Sequence, residues 1–271
     1  DRAEGEAMDI SHGASFAGPM KIYAGGYEDV GDASIIVITA GANQKPNETR
    51  LDLVQKNAKI MTDVVTQIKE QEYKGILLIV SNPVDIMTQV AMEVSGFPEH
   101  RVFGSGTVLD SARLRYHLGQ HLGVDSRSVH AFVIGEHGDS EIAAWSSANV
   151  SGVPLNSFCE MRGHFNHEGN TESIEEQVKN SAYEIIAKKD ATYYGIAMVV
   201  KRICQAIVRD EKSIFPISLR MHGEYALEDV VLSMPAIVGA RGIETTIPIS
   251  LDEKEVSRLH ESAEMLRETR K

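Results

Sequence analysis

Asp110-Ser111-Ala112-Arg113 sets a carboxylate and a guanidinium at i and i+3, which on a helix puts both on one face, a turn apart. Spacing alone reads as a surface ion pair. The functional alternative gives the two residues different jobs. Arg113 would hold a substrate carboxylate through a two-pronged, charge-assisted hydrogen bond, and Asp110 would orient a histidine elsewhere. Gly135-Glu136-His137-Gly138-Asp139 supplies the candidate histidine. His137 stands at a strand end between glycines, where backbone approaches a ligand closely and an imidazole faces a cleft; a structural or merely exposed histidine is the plain alternative. An Asp–His pair donates protons well near neutral pH. The carboxylate fixes the tautomer and stabilises imidazolium, raising the histidine from its reference of ~6.5.

Arg50 follows a loop that holds Pro46 and Asn47. Positive charge at a helix start is mildly disfavoured by the macrodipole, so Arg50 is either a solvated side chain or one that swings over a substrate as the loop closes. Other constellations fail. His164 and His167 lie near Glu168 in a polar loop without further ligands, so no metal is expected. There is no Gly-x-Ser-x-Gly, no P-loop and no Gly-x-Gly-x-x-Gly after a strand.

The elements that must position these residues alternate. Ser34 to Ile38 and Ile76 to Val80 are continuous apolar runs of strand length, the kind buried on both faces of a parallel sheet. Between them Leu51, Val54, Ala58, Met61, Val65 and Ile68 recur at helical steps. A further helix ends at Gly96, and a short strand near Arg101 to Phe103 ends in Gly104-Ser105-Gly106. Later come a helix from Asp110, a strand near His130 to Ile134, helices on either side of 188–192, and a last helix opened by the capping-box spacing Ser250-x-x-Glu253. The pattern predicts α/β architecture: a partial doubly wound parallel sheet over 1–105, then an α+β catalytic domain over 106–271. In such a sheet ligands bind beyond the carboxyl ends of the strands, where the loops 39–50, 81–84 and 104–110 lie. Any one of these loops is weak evidence, since strand ends need turn residues anyway.

Composition excludes several classes. Acidic residues outnumber basic ones, 39 to 27, for a net charge of −12. That charge argues against nucleic acid or a membrane surface as partner. Cys159 and Cys204 cannot form a disulfide framework and read as reduced thiols of a cytosolic protein. The longest uncharged apolar runs are about ten residues, half of a membrane span, and no signal peptide is expected. The start at Asp1-Arg2-Ala3-Glu4, charged and without Met, reads as the middle of a longer gene product.

Six motifs then occur in order: Thr39-Ala40-Gly41, Asn43 to Arg50, Ser81-Asn82-Pro83-Val84-Asp85, Leu109 to Arg113, Gly135 to Ser140, and Ala191-Thr192-Tyr193-Tyr194-Gly195. Together, over essentially the whole chain, they resemble the bacterial L-lactate dehydrogenases of the lactate/malate dehydrogenase superfamily. The resemblance implies reversible hydride transfer between NADH and pyruvate to give L-lactate. It makes His137 the proton donor and acceptor, Asp110 its orienting carboxylate, Arg113 the clamp on the substrate carboxylate and Arg50 the group that polarises the carbonyl. It places Asn82 near nicotinamide and substrate, Thr192 along the substrate pocket, and Gln44 where malate enzymes carry arginine. Thr39, Ala40, Gly41, Val80, Asn82 and Ser105 would line the NAD site. Arg115 and His130 match positions that bind fructose 1,6-bisphosphate across a subunit interface; a surface arginine and an ordinary strand histidine are the alternative. A cytoplasmic homotetramer of glycolysis follows.

The family's opening Gly-rich turn and ribose-binding acid do not occur, and Asn43 stands where many relatives have arginine. The 271 residues alone are therefore expected to bind NAD poorly. Two other readings stay open: a malate or other 2-hydroxy acid dehydrogenase, against which Gln44 and Thr192 argue, and a truncated, cofactor-incompetent subunit with a structural role.

Overall fold

The computed structural model describes residues 1–42 and 50–270, the side chains of Arg50 and Arg270 excepted. After helix α1 (Arg2–Gly13) come β1 (Ile35–Ile38), α2 (Arg50–Glu70), β2 (Ile76–Ile79), α3 (Val84–Ser95) and β3 (Val102–Gly104). The three strands are parallel neighbours, with Ile35 opposite Ile76 and Leu77 opposite Val102. Every residue of β2 is buried, as a continuous apolar run in the middle of a covered sheet requires. Along α2, Val54, Met61, Val65 and Ile68 are buried and Ala58 half-buried, so the expected apolar face exists. Leu51 departs from it and is exposed. α3 stops at Gly96, whose φ of 62° is left-handed and favours glycine.

The second half runs α4 (Val108–Leu122), β4 (Val129–His130), β5 (Val133–Ile134), β6 (Ile142–Ala143), β7 (Asn149–Val150), β8 (Val153–Pro154), α5 (Leu155–Met161), α6 (His167–Lys189), α7 (Tyr194–Val208), β9 (Ser213–His222), β10 (Glu228–Gly239), β11 (Gly242–Thr246) and α8 (Glu253–Arg270). β9 pairs antiparallel with β3 through Gly104 and Ser218, and β10 and β11 extend the sheet to six strands in the order β1-β2-β3-β9-β10-β11. The hydrogen-bonded sheet thus crosses residue 105 without a break, because β9 returns to the outer edge of the parallel set. One apolar core spans both halves, with Ile79, Phe103, Ile217 and Leu232 in it. A smaller one gathers Leu114, Leu118, Val129, Val150, Ile174 and Val178 around α4 and α6.

Three local expectations shift. α4 starts at Val108, two residues before Asp110. The strand expected at 130–134 is two short strands, β4 pairing with β7 and β5 with β6. The capping box is Asp252-x-x-Glu255: Asp252 Oδ1 accepts the Glu255 N–H at 2.8 Å while Glu255 Oε2 accepts the Asp252 N–H at 2.9 Å. The Ser250 spacing loses because α8 begins at Glu253, which makes Asp252 the cap and Glu255 its reciprocal partner.

Candidate active site

The earlier start of α4 puts Asp110 in its first turn, where the helix dipole favours a carboxylate. Asp110 is no surface ion pair. Its side chain is 3% exposed, Oδ1 accepts Arg113 Nη1 at 2.6 Å, and Oδ2 lies 2.6 Å from His137 Nδ1. Burial alone would raise its pKa, but the imidazolium and guanidinium hold it below the ordinary carboxylate value. For His137 burial works downward and the Asp110 carboxylate upward, and the carboxylate wins, lifting the imidazole to about 9. With Nδ1 engaged, Nε2 is the nitrogen from which a proton can leave.

His137 follows β5, and the backbone there is tied on three sides. Gly135 exchanges N–H bonds with Ser233 of β10 at 2.9 and 2.8 Å. The Glu136 N–H donates to Ser262 Oγ of α8 at 2.8 Å. The His137 N–H donates to Asp85 Oδ2 at 2.7 Å. Gly135 has φ 85°, and a Cβ there would come within 2.9 Å of Ser262 Oγ, so the position requires glycine.

Sequence reasoning missed Asp85. It opens α3, is 2% exposed, and its other oxygen accepts Ser218 Oγ at 2.5 Å. Burial pushes its carboxyl up to about 6. The signal was present, since Asp85 belongs to the Ser-Asn-Pro-Val-Asp motif, but nothing local says that it faces His137, 52 residues on. Asn57 of α2 was missed for the same reason: its Oδ1 accepts the Ala42 N–H at 2.8 Å and its Nδ2 donates to the Asn82 carbonyl at 2.9 Å. It staples the loop after β1 to the turn before α3, which contains a cis Asn82–Pro83 bond. Ser81 Oγ adds a bond to the Ala40 carbonyl at 2.5 Å.

Asp110, Arg113, His137 and Gly138 line a cavity of about 180 Å³ closed from the other side by Glu141 and by Lys179 and Tyr183 of α6. Glu141 is 4% exposed, and burial pushes its carboxyl up to about 8. Donor atoms of Asp110, His137 and Glu141 lie within 4.8 Å of one another. Both Asp110 oxygens and His137 Nδ1 are taken up by one another and by Arg113, an arrangement suited to passing a proton through His137.

The expected cofactor residues gather at the carboxyl ends of the parallel strands: Thr39, Ala40 and Gly41 exposed after β1, half-buried Val80 and exposed Asn82 after β2. Ser105 after β3 is buried, and its N–H donates to the Ile79 carbonyl at 2.8 Å. Thr192 is half-buried between α6 and α7 and does not line the 180 Å³ cavity. Gln44 and the Arg50 side chain lie outside the described residues. Arg115 donates to the Ser111 carbonyl at 3.1 Å and lines a different, larger cavity of about 800 Å³ together with Arg202 and Lys212. His130 is exposed on β4 and does not line that cavity.

Known proteins resemble the chain over nearly its whole length. An L-lactate dehydrogenase of Acetivibrio thermocellus is 48% identical over 98% of this chain and 84% of its own length. One of Priestia megaterium is 48% identical over 100% of the chain and 85% of the relative. The crystal structure of a lactate dehydrogenase from a Medee basin deep-sea metagenome library superposes with a TM-score of 0.94 at 46% identity, covering 99% of this chain and 86% of that one. Residues 1–104 match the family model described as lactate/malate dehydrogenase, NAD binding domain, and residues 107–271 the one described as its alpha/beta C-terminal domain. The strand ends, the buried Asp–His pair and these matches agree, and the chain belongs to the lactate/malate dehydrogenase family of NAD-dependent oxidoreductases.

Proposed function

We propose that this protein is an L-lactate dehydrogenase that interconverts pyruvate and L-lactate with NADH and NAD⁺. The observation that carries the reading is the Asp110–His137–Arg113 cluster: a buried proton donor and a carboxylate-binding cation in one small cavity. The division at 105/106 then separates a cofactor half from a substrate half.

The described residues fit a dinucleotide. Residues 39–42 after β1, exposed at Thr39, Ala40 and Gly41, are tied to Ser81 and Asn82 after β2 by hydrogen bonds of Asn57 and Ser81, which holds exposed backbone together at the two strand ends. When bound, NADH supplies the hydride for the ketone carbon. The chain's own residues do the rest. Arg113 holds the substrate carboxylate with the guanidinium donors not engaged by Asp110. His137 gives the Nε2 proton to the ketone oxygen, and Asp110 stabilises the imidazolium before the transfer and keeps the ring oriented after it. Arg50 neutralises charge building on the oxygen, a contribution made mainly in the transition state. The family resemblance assigns Asn82 and Thr192 to the substrate site, Thr192 from outside the 180 Å³ cavity, and Gln44 to favouring the methyl of pyruvate over a second carboxylate.

Fructose 1,6-bisphosphate would bind Arg115 and His130 between subunits of a cytoplasmic homotetramer working in glycolysis. Support for self-association comes from α1, which has no buried residue and exposes Met8 and Ile10. An α4–α7 surface with exposed Met198 offers an apolar seat for it in a second copy. The test is NADH consumption by the purified protein with pyruvate, scored by formation of L-lactate. Faster reduction of oxaloacetate than of pyruvate would overturn the substrate.

A further inference from the structure

Glu141 has no part in the mechanism above, yet it forms a wall of the same cavity. Its N–H closes a turn onto the Gly138 carbonyl at 3.2 Å, its side chain is 4% exposed, and its carboxyl comes within 4.8 Å of donor atoms of Asp110 and His137. Two buried carboxyls this close to one imidazole do not both ionise easily. Asp110 holds the two short charged partners, Arg113 and His137. Glu141 is left with weaker company. Lys179 faces it from α6 but also lies 3.6 Å from Glu175. Arg258 of α8 pairs with Glu175 and reaches only the Glu141 backbone carbonyl, at 3.5 Å. Asp139, to which Tyr183 donates at 3.0 Å, adds negative charge nearby.

We propose that Glu141 is a positioning residue that is protonated in the working site, and that its ionisation closes the cavity to carboxylate substrates as pH rises. The proposal rests on the dehydrogenase reading. With Glu141 neutral, Arg113, Lys179 and protonated His137 outweigh Asp110, and an arriving anion meets net positive charge. Once Glu141 is ionised, a further fixed negative charge beside Asp110 and Asp139 faces the incoming carboxylate and strengthens the hold of His137 on its proton. The rise of the Glu141 carboxyl to about 8, against about 9 for His137, puts the first of these losses at the start of the alkaline range.

Infrared difference spectra of the protein without substrate, between about pH 7.5 and pH 9.5, test the proton directly. A protonated-carboxyl C=O band should disappear on raising the pH and be missing in Glu141→Gln. Asp85 does not interfere, because its carboxyl, at about 6, is ionised throughout that interval. In kinetics, log kcat/KM for pyruvate should fall above pH 8 with a slope approaching two protons in the wild type and one in Glu141→Gln. Glu141→Asp should restore the steeper limb. An unchanged slope in Glu141→Gln overturns the proposal, and so does a band that persists in it. Should Glu141→Gln not fold, a wild type without the band at pH 7.5 overturns it equally. Failure to reduce any 2-oxo acid would instead sink the dehydrogenase reading, which the infrared band does not depend on.

Discussion

Asp110→Asn isolates what the carboxylate does for His137. The imidazole stands at about 9 against an ordinary 6.5, a preference for imidazolium worth roughly 3 kcal/mol at about 1.4 kcal/mol per pH unit. Burial pulls the other way, so the carboxylate contributes more than this net amount. Without it the imidazole should return to ~6.5 or below, and at pH 8 its protonated fraction would drop on the order of 30-fold. Geometry makes the loss larger. Arg113 Nη1 donates to Oδ1, so the new amide keeps its oxygen toward Arg113 and turns its NH₂ toward His137 Nδ1. Two donors then face each other whenever the ring is protonated. Replacing an orienting carboxylate by its amide in a comparable Asp–His pair costs up to about 10⁴ in kcat, so kcat/KM for pyruvate at pH 8 should fall by ~10² to 10⁴. The assay is the pH profile of kcat/KM beside an NMR titration of the His137 ring. The sign follows from the direction of the rise: imidazolium is favoured below its midpoint, and the variant should lose activity at lower pH than the wild type. A His137 midpoint that stays above about 8, or activity within threefold of wild type in a folded variant, would refute the reasoning.

His137→Gln should reduce turnover by a factor on the order of 10² to 10⁴ while NADH binding, read by fluorescence, changes little. Gln44→Arg should reverse the kcat/KM preference from pyruvate to oxaloacetate, a swing of at least ~10³, because a buried guanidinium pairs with the second carboxylate and is stranded against a methyl. A variant that loses pyruvate activity without gaining any toward oxaloacetate removes Gln44 from that role. Fructose 1,6-bisphosphate should lower the KM for pyruvate and favour the tetramer in sedimentation, and Arg115→Gln should weaken both responses at least ~10-fold. If saturating sugar phosphate moves neither quantity, the Arg115 and His130 site is wrong.

Much of the architecture is legible in the amino-acid sequence, because its causes are local. Apolar runs of strand length at 35–38 and 76–79, helical steps along α2 and a glycine at 96 are statements about neighbouring residues. The spacing of Asp110 and Arg113 placed them on one helical face for the same reason. Boundaries were less legible: Ser250 and Asp252 both begin a capping-box spacing, and only Asp252 makes the reciprocal bonds with Glu255. What the chain's order could not supply was long-range company. Asp85 holds the His137 amide from 52 residues away and Ser218 from 133. β9 closes onto β3 across more than a hundred residues. Whether Asp110 and Arg113 form a solvated pair or a buried proton-transfer cluster, and whether Glu141 carries a charge at all, depends on which groups folding brings within a few ångströms in the absence of water. Ionisation in a protein is set by desolvation and by neighbouring charge, and both are properties of the folded interior.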